Sequence, residues 1–379
     1  MNTVRRILFK VGSSSLNHPD GGLNEKAIEE ITRIISEFHH QGVECILVSS
    51  GAVAAGMGKL GLKTRPRDIA GKQAAAAVGQ GVLMERYAHY LGELGLIGAQ
   101  VLLSRIDLAE AARYKNAQNT LERLLRLNVV PIINENDTVA VEELCFGDND
   151  RLSAMVAGLV HADLLIILTD VDGLYTANPK TDSTAQLIEE VQDISKVENM
   201  ASGAGSMIGT GGMVTKLKAA EIATRCGIAV LLLNSARMGE SLVITSGNRP
   251  KGTYFAPSSH RLVGKKKWIA YAGLSEGTII IDNGAVKALV EEGKSLLAKG
   301  IIRVEGTWER KELVKITDSC GQEIARGIAE LSSEEVDIVK GCHSEQLHVY
   351  IKNLGCEEVV HRDNLTLMTE AYPSARNLT

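Results

Sequence analysis

Up to Phe255 the chain alternates short, uniformly apolar runs with longer runs whose apolar residues recur at helical spacing. Ile7-Leu8-Phe9, Cys45-Ile46-Leu47-Val48, Val129 to Ile133 and Leu164 to Leu168 read as strands with no polar face. A strand that is apolar on both sides must be covered on both sides, which is the condition of a mainly parallel sheet between layers of helices. Asn24 can cap a helix with the apolar face Ile28, Ile31, Ile34, Ile35 and Phe38. Leu23 and Ile28 occupy hydrophobic-staple positions, and Gly42 ends the helix. Pro131 weakens Val129–Ile133 as a central strand, because proline gives no N–H to a ladder. The expected class is α/β, an open, mainly parallel sheet sandwiched by helices.

The texture changes near Ala256-Pro257-Ser258-Ser259. Beyond it Thr278–Ile281, Ile301–Val304, Leu313–Ile316 and Glu323–Ile328 are short runs punctuated by glycines, the pattern of a small, β-rich, barrel-like module. The expected organisation is an α/β domain over 1–256, a linker over 257–276, the β-rich domain over 277–356 and a tail over 357–379, polar from Thr366. Lys265-Lys266-Lys267 fits either a solvated linker or an RNA contact. At 379 residues two or three domains are expected. Aromatics make up only 4%, so the cores must be built from Ile, Leu, Val and Ala. A net charge of −5 gives no general attraction to nucleic acid or membrane. The six cysteines are scattered without a C-x-x-C pair, so reduced thiols are expected. Ile7-Leu8-Phe9 is too short for a signal-peptide core, and no run approaches the ~20 apolar residues of a membrane span. The expected location is cytoplasmic.

In open α/β sheets ligands bind beyond the carboxyl ends of the strands. Lys10 closes the first apolar run and is followed by Gly12 and Ser13. Ser50 and Gly51 follow the second, and Thr169 and Asp170 follow Leu168. Asn134, Asn136 and Asp137 follow Ile133; they suit turn chemistry, or carboxylate and amide contacts to an ammonium-bearing substrate. Lys10 is either an edge lysine or a functional one, since burying an ammonium needs compensation. Asn149 and Asp150, in Gly147-Asp148-Asn149-Asp150, suit helix caps or ligand contacts. In Gly209-Thr210-Gly211-Gly212-Met213-Val214-Thr215-Lys216, a glycine-rich turn leads into a helix. Its N–H groups can cradle phosphate, with Lys216 adding charge; the plainer reading is a flexible loop. It is not a Walker A box. Gly56-Met57-Gly58-Lys59-Leu60-Gly61 has the letters of a dinucleotide fingerprint but follows no strand, so it reads as a helix-ending loop. The histidines show no metal-ligand spacing.

Phe9–Ser14, Val48–Ala52, Ile132–Asp137, Gly147–Asp150, Leu168–Asp170 with Gly173-Leu174-Tyr175, and Gly209–Lys216 occur in that order. Together they resemble the amino acid kinase family, and residues 277–356 resemble the PUA domain. The resemblance implies transfer of phosphate from ATP, with Mg2+, to the γ-carboxylate of L-glutamate. The product is L-glutamyl 5-phosphate, in the first step of proline biosynthesis, with feedback inhibition by L-proline. It implies catalytic roles for Lys10, Lys216 and Asp150, with Asp150 orienting the lysines. It implies glutamate contacts from Ser50, Gly51, Asn134, Asp137 and Asn149. Nucleotide contacts are implied for Lys10, Gly12, Thr169, Asp170, Thr210, Gly211, Gly212, Met213 and Lys216. Mg2+ would be held mainly by ATP phosphates. Implied partners are a second copy of the chain and the reductase that consumes glutamyl 5-phosphate. Rival expectations are a kinase of the same fold acting on aspartate, acetylglutamate or a nucleoside monophosphate, an RNA-binding protein, and a Rossmann oxidoreductase.

Overall fold

The computed structural model describes residues 4–18, 22–139, 149–179, 181–194, 196–197, 211–259, 261–262, 264–351 and 357–368. The chain forms two compact units, the first built almost wholly from residues up to 262 and the second from 263 onward. Among the described residues no helix is long and apolar enough to cross a membrane.

The strands of the first unit are β1 (Arg6–Val11), β2 (Glu44–Val48), β3 (Ile97–Leu103), β4 (Val129–Glu135), β5 (Leu164–Thr169), β6 (Glu190–Val191), β7 (Ala229–Asn234) and β8 (Thr253–Phe255). Its helices are α1 (Ser13–Leu16), α2 (Glu25–His40), α3 (Ala52–Leu60), α4 (Ile69–Glu93), α5 (Arg105–Ala109), α6 (Ala111–Arg126), α7 (Asn149–Leu159) and α8 (Gly211–Arg225). The strands form one sheet in the order β3-β4-β2-β1-β5-β7-β8-β6. Neighbours from β3 to β7 are parallel, while β8 is antiparallel to β7. Successive residues Ile7, Leu8 and Phe9 are all buried, as a sheet covered on both faces requires.

Asn24 caps α2 by accepting from the Ala27 N–H at 3.3 Å. The α2 face of Ile28, Ile31, Ile34, Ile35 and Phe38 lies in the core with Phe9 and Leu47. β4 lies between β3 and β2, yet its pairing with β2 covers only Ile132 and Ile133. Pro131 therefore sits where no ladder bond to β2 is needed. Strands β3 and β7 fall outside the apolar runs assigned above; β3 is a half-exposed edge, and β7 is an unbroken apolar run.

The glycines around Gly56 have a different use from the one expected. Gly61 does cap α3 in left-handed geometry, but Gly56 and Gly58 lie inside the helix. A Cβ on Gly56 would fall 1.8 Å from the Ala75 carbonyl oxygen, and one on Gly79 would fall 1.7 Å from that of Ala52. The backbones of α3 and α4 touch there, a contact that only glycine permits.

The second unit has a five-stranded sheet in the order β11 (Ile301–Gly306), β9 (Gly277–Ile281), β12 (Leu313–Thr317), β13 (Glu323–Ile328) and β15 (Leu365–Leu367). β10 (Leu296–Leu297) pairs with β14 (Glu358–Val360). α9 (Asn283–Val290) and α10 (Ser333–Val339) complete it, the latter with a Ser332–Glu335 capping box. Two expectations need correction. Residues 358–367 are not tail: β14 and β15 pair into the unit, and Thr366 is buried. Within 257–276, Trp268–Ala272 form a helical turn whose Ile269 packs with Leu313 and Ile328. The preceding Lys265 donates to Asn364 at 3.1 Å, so the lysine triplet is a docked turn and not a plain linker. Elements of three residues carry too little periodicity to be read from sequence.

Candidate active site

The carboxyl ends of β1, β2, β4 and β5 converge on one cavity of about 380 Å3. β1 is flanked by β2 and β5, so Lys10 ends a central strand and is not an edge lysine. It is only 6% exposed. Its Nζ lies 2.6 Å from Asp150 Oδ1. Asp150, in the first turn of α7, is 2% exposed. Its Oδ2 accepts from Thr215 Oγ1 at 2.8 Å and from Lys216 Nζ at 3.2 Å. Burial pushes the Asp150 carboxyl up, but the charges of Lys10 and Lys216 and the hydrogen bonds outweigh it. The carboxyl is held below its ordinary range and stays ionised.

Lys216 also donates to the Gly212 carbonyl at 3.1 Å, one turn back along α8. Gly211, Gly212 and Met213 form the first turn of that helix, and Lys216 represents the segment in the cavity wall. Gly209, Thr210, Gly147 and Asp148 lie outside the described residues.

A second network lines the same cavity as the lysines. The Asn149 side-chain amide donates to the Ser49 carbonyl and to Ser50 Oγ, both at 2.8 Å, and to Asn134 Oδ1 at 3.0 Å. Asn134, 2% exposed, donates in turn to Gln80 Oε1 at 2.9 Å. Ser49 Oγ shares a 2.9 Å hydrogen bond with the buried Tyr87 hydroxyl. Gln80 and Tyr87 both lie on α4, so the helix pair locked at Gly56 and Gly79 also fixes the back of the site. Gly51 caps α3 with φ of 96°, a conformation side chains disfavour, and turns the chain from β2 into α3 at the cavity wall.

Asp137 is half-buried on the wall; burial raises its carboxyl, and the nearby Arg65 charge opposes that rise. Thr169 is buried at the end of β5 and lines the cavity. Asp170 beside it is exposed, accepts from Thr169 Oγ1 at 3.2 Å and is not part of the wall. The loop after Asp170 is pinned twice: Asn234, ending β7, donates to Asp172 at 2.8 Å, and Thr253, beginning β8, accepts from the Leu174 N–H at 2.8 Å.

The cavity thus gathers Lys10, Gly12, Ser50, Gly51, Asn134, Asp137, Asn149, Thr169 and Lys216, with Asp150 behind them. Sequence reasoning missed Thr215, Gln80 and Arg65. Thr215 stands next to Lys216 and was within reach of that motif; Gln80 gives no local signal. A larger cavity of about 580 Å3 in the second unit is walled by Ala285, Ala288, Leu289 and Leu296 with charged groups spread round them. The buried, mutually paired charges lie in the smaller one, and such charges mark catalytic sites.

The amino acid kinase family model matches residues 5–234. The chain belongs to the amino acid kinase family. A PUA domain model matches residues 277–351. Among curated relatives in this family, glutamate 5-kinase of Desulfitobacterium hafniense (strain Y51) is 67% identical over 370 residues, covering 98% of this chain and 100% of the relative. Glutamate 5-kinase of Moorella thermoacetica is 47% identical over 369 residues, covering 97% of each. Among solved structures, an isopentenyl phosphate kinase matches with a TM-score of 0.48 and 16% identity, over 66% of this chain and all of that one.

Proposed function

We propose that this chain transfers the γ-phosphoryl group of ATP to the γ-carboxylate of L-glutamate, giving L-glutamyl 5-phosphate as the first step of proline biosynthesis. The observation that carries the proposal is the Lys10–Asp150–Lys216 cluster, brought to the same cavity as the Asn134–Asn149–Ser50 network. The near-full-length relatives named glutamate 5-kinase support glutamate as the acceptor.

The donor set fits a phosphate chain. Two lysines share one carboxylate, which leaves positive charge facing the cavity. Phosphoryl transfer needs positioning and charge neutralisation more than covalent help. An oxygen of the γ-carboxylate attacks the γ-phosphorus, the bond to the bridging oxygen breaks, and ADP leaves. The acceptor is already ionised at neutral pH, so no general base is required. Lys10 and Lys216 stabilise charge on the transferring group and on ADP, while Asp150 holds both ammonium groups in place. Ser50, Gly51, Asn134 and Asn149 hold glutamate, with Asp137 facing its α-ammonium. Gly12, Thr169, Asp170 and the segment from Thr210 to Lys216 hold the nucleotide. Mg2+, carried by the ATP phosphates, supplies further neutralisation when bound. L-proline, the reductase of the next step and a second copy of the chain are the partners of this reading.

Acyl phosphate trapped with hydroxylamine tests the reaction. The product should require both ATP and L-glutamate, with L-aspartate and N-acetyl-L-glutamate run alongside as weak acceptors. Equal or greater product with either alternative would assign the site to a different carboxylate.

A further inference from the structure

Glutamate carries three charges. The γ-carboxylate must lie at the lysine end, where the phosphoryl group is transferred. The α-ammonium and α-carboxylate sit on one carbon, so their protein partners must be neighbours. The cations among the described residues lining the cavity are Lys10, Lys216 and Arg65. Both lysines are bound to Asp150. Arg65 makes no ion pair within 4 Å among the described residues, and its charge acts on Asp137.

Arg65 is also held where it can serve. It lies on the connection between α3 and α4, which starts at the left-handed cap Gly61 and ends at Asp68, the α4 cap, accepting from the Gly71 N–H at 2.7 Å. Pro66 follows Arg65 and restricts its backbone to extended conformations. Pro66 sits close against the first turn of α4, where a Cβ on Gly71 would come within 2.8 Å of Pro66 Cβ. The guanidinium is therefore presented from a braced segment, and its fork matches a carboxylate.

We propose that Arg65 binds the α-carboxylate of the amino acid acceptor and selects for a free α-carboxylate there, an inference that rests on the glutamate reading above. Asp137 and Arg65 then form an adjacent pair that reads the two charged groups of the α-carbon together. Arg65 is exposed, so its replacement leaves the core intact.

The test compares the whole protein with Arg65→Gln and Arg65→Lys, at saturating ATP and Mg2+, on L-glutamate and on L-isoglutamine. In L-isoglutamine the α-carboxylate is a neutral amide and the γ-carboxylate is retained. Arg65→Gln should raise KM for L-glutamate roughly ten- to a hundredfold, the range for a hydrogen bond between charged groups. The kcat and the KM for ATP should stay within about twofold, the signature of lost ground-state binding. The preference for L-glutamate over L-isoglutamine should collapse by the same factor, and Arg65→Lys should restore part of it. An unchanged glutamate KM, or a preference preserved in Arg65→Gln, would overturn this role while leaving the proposed reaction standing. A wild-type protein that forms no glutamyl phosphate would overturn the reaction and this role together.

Discussion

Lys10 Nζ lies 2.6 Å from Asp150 Oδ1, and both side chains are buried. The pair ties the end of the central strand to the start of α7, and Thr215 and Lys216 reach the same carboxylate from α8. Lys10→Ala and Lys216→Ala should each lower kcat roughly 10²–10³-fold, as expected for losing one preorganised charge. Their stabilities should differ. Lys10→Ala strips Asp150 of its shorter, more buried partner and should cost about 1–3 kcal/mol, less than a fully orphaned charge because Lys216 and Thr215 remain. Lys216→Ala should cost less, since its side chain is more exposed. Urea unfolding beside steady-state kinetics separates the two; equal stability in both variants would refute the asymmetry.

The same carboxylate gives a pH dependence of stability. The folded-state pKa of Asp150 is depressed, so between that value and the unfolded value the unfolded chain binds more protons. The stabilisation is complete above the ordinary aspartate value near 3.9 and is lost as pH falls through the depressed one. Asp150→Asn should flatten the acid limb of the stability curve and lower the plateau at neutral pH. An unchanged acid limb would show that other carboxylates govern it.

Gln80 should matter without touching substrate. Its Oε1 satisfies Asn134, which in turn fixes Asn149. Gln80→Leu leaves a buried amide donor unpaired, a cost of about 1–3 kcal/mol. KM for glutamate should rise by about tenfold on that scale, with KM for ATP unchanged. A loss confined to ATP would place the network on the nucleotide side.

L-proline should compete with glutamate. It has an α-carboxylate and a secondary ammonium, so it can use the Asp137 and Arg65 end of the cavity, but it has no γ-carboxylate to accept phosphate. Glutamate titrations at several proline concentrations should show a rising apparent KM at constant kcat. Inhibition that saturating glutamate fails to relieve would require a separate site. Asn134–Asp137 and the following loop to Gly147 are expected to supply the inhibitor's contacts; of these, residues 140–147 lie outside the described residues.

What was legible in the sequence was what short segments encode. β1, β2 and β5 are unbroken apolar runs, and Lys10, Ser50 and Thr169 follow from where those runs stop. Asn134 and Asn149 were legible as residue types, but their hydrogen bond joins separate elements and depends on the sheet order. Gln80 lies 54 positions from Asn134, inside a helix, and only the packing of α4 brings it to the site. The Gly56 letters, read as a helix-ending loop, fell short for a related reason. Glycine signals a close approach but not its partner, which here is the backbone of a neighbouring helix.

The reversal of β8 against β7 divides the sheet into two directions of travel. From β3 to β7 the chain leaves the sheet on the cavity side; at β8 it enters there. A loop laid across that frontier can be clamped by an outgoing strand and an incoming one at once, as Asn234 and Thr253 clamp 172–174. In a wholly parallel sheet the second clamp would have to come from another connection, free to drift in length and sequence. Here it is the opening residue of a strand, so the floor beside Thr169 inherits the rigidity of the sheet itself. Substitutions that tune this side of the cavity should therefore be confined to side chains, because a change in loop length would have to break one clamp or the other.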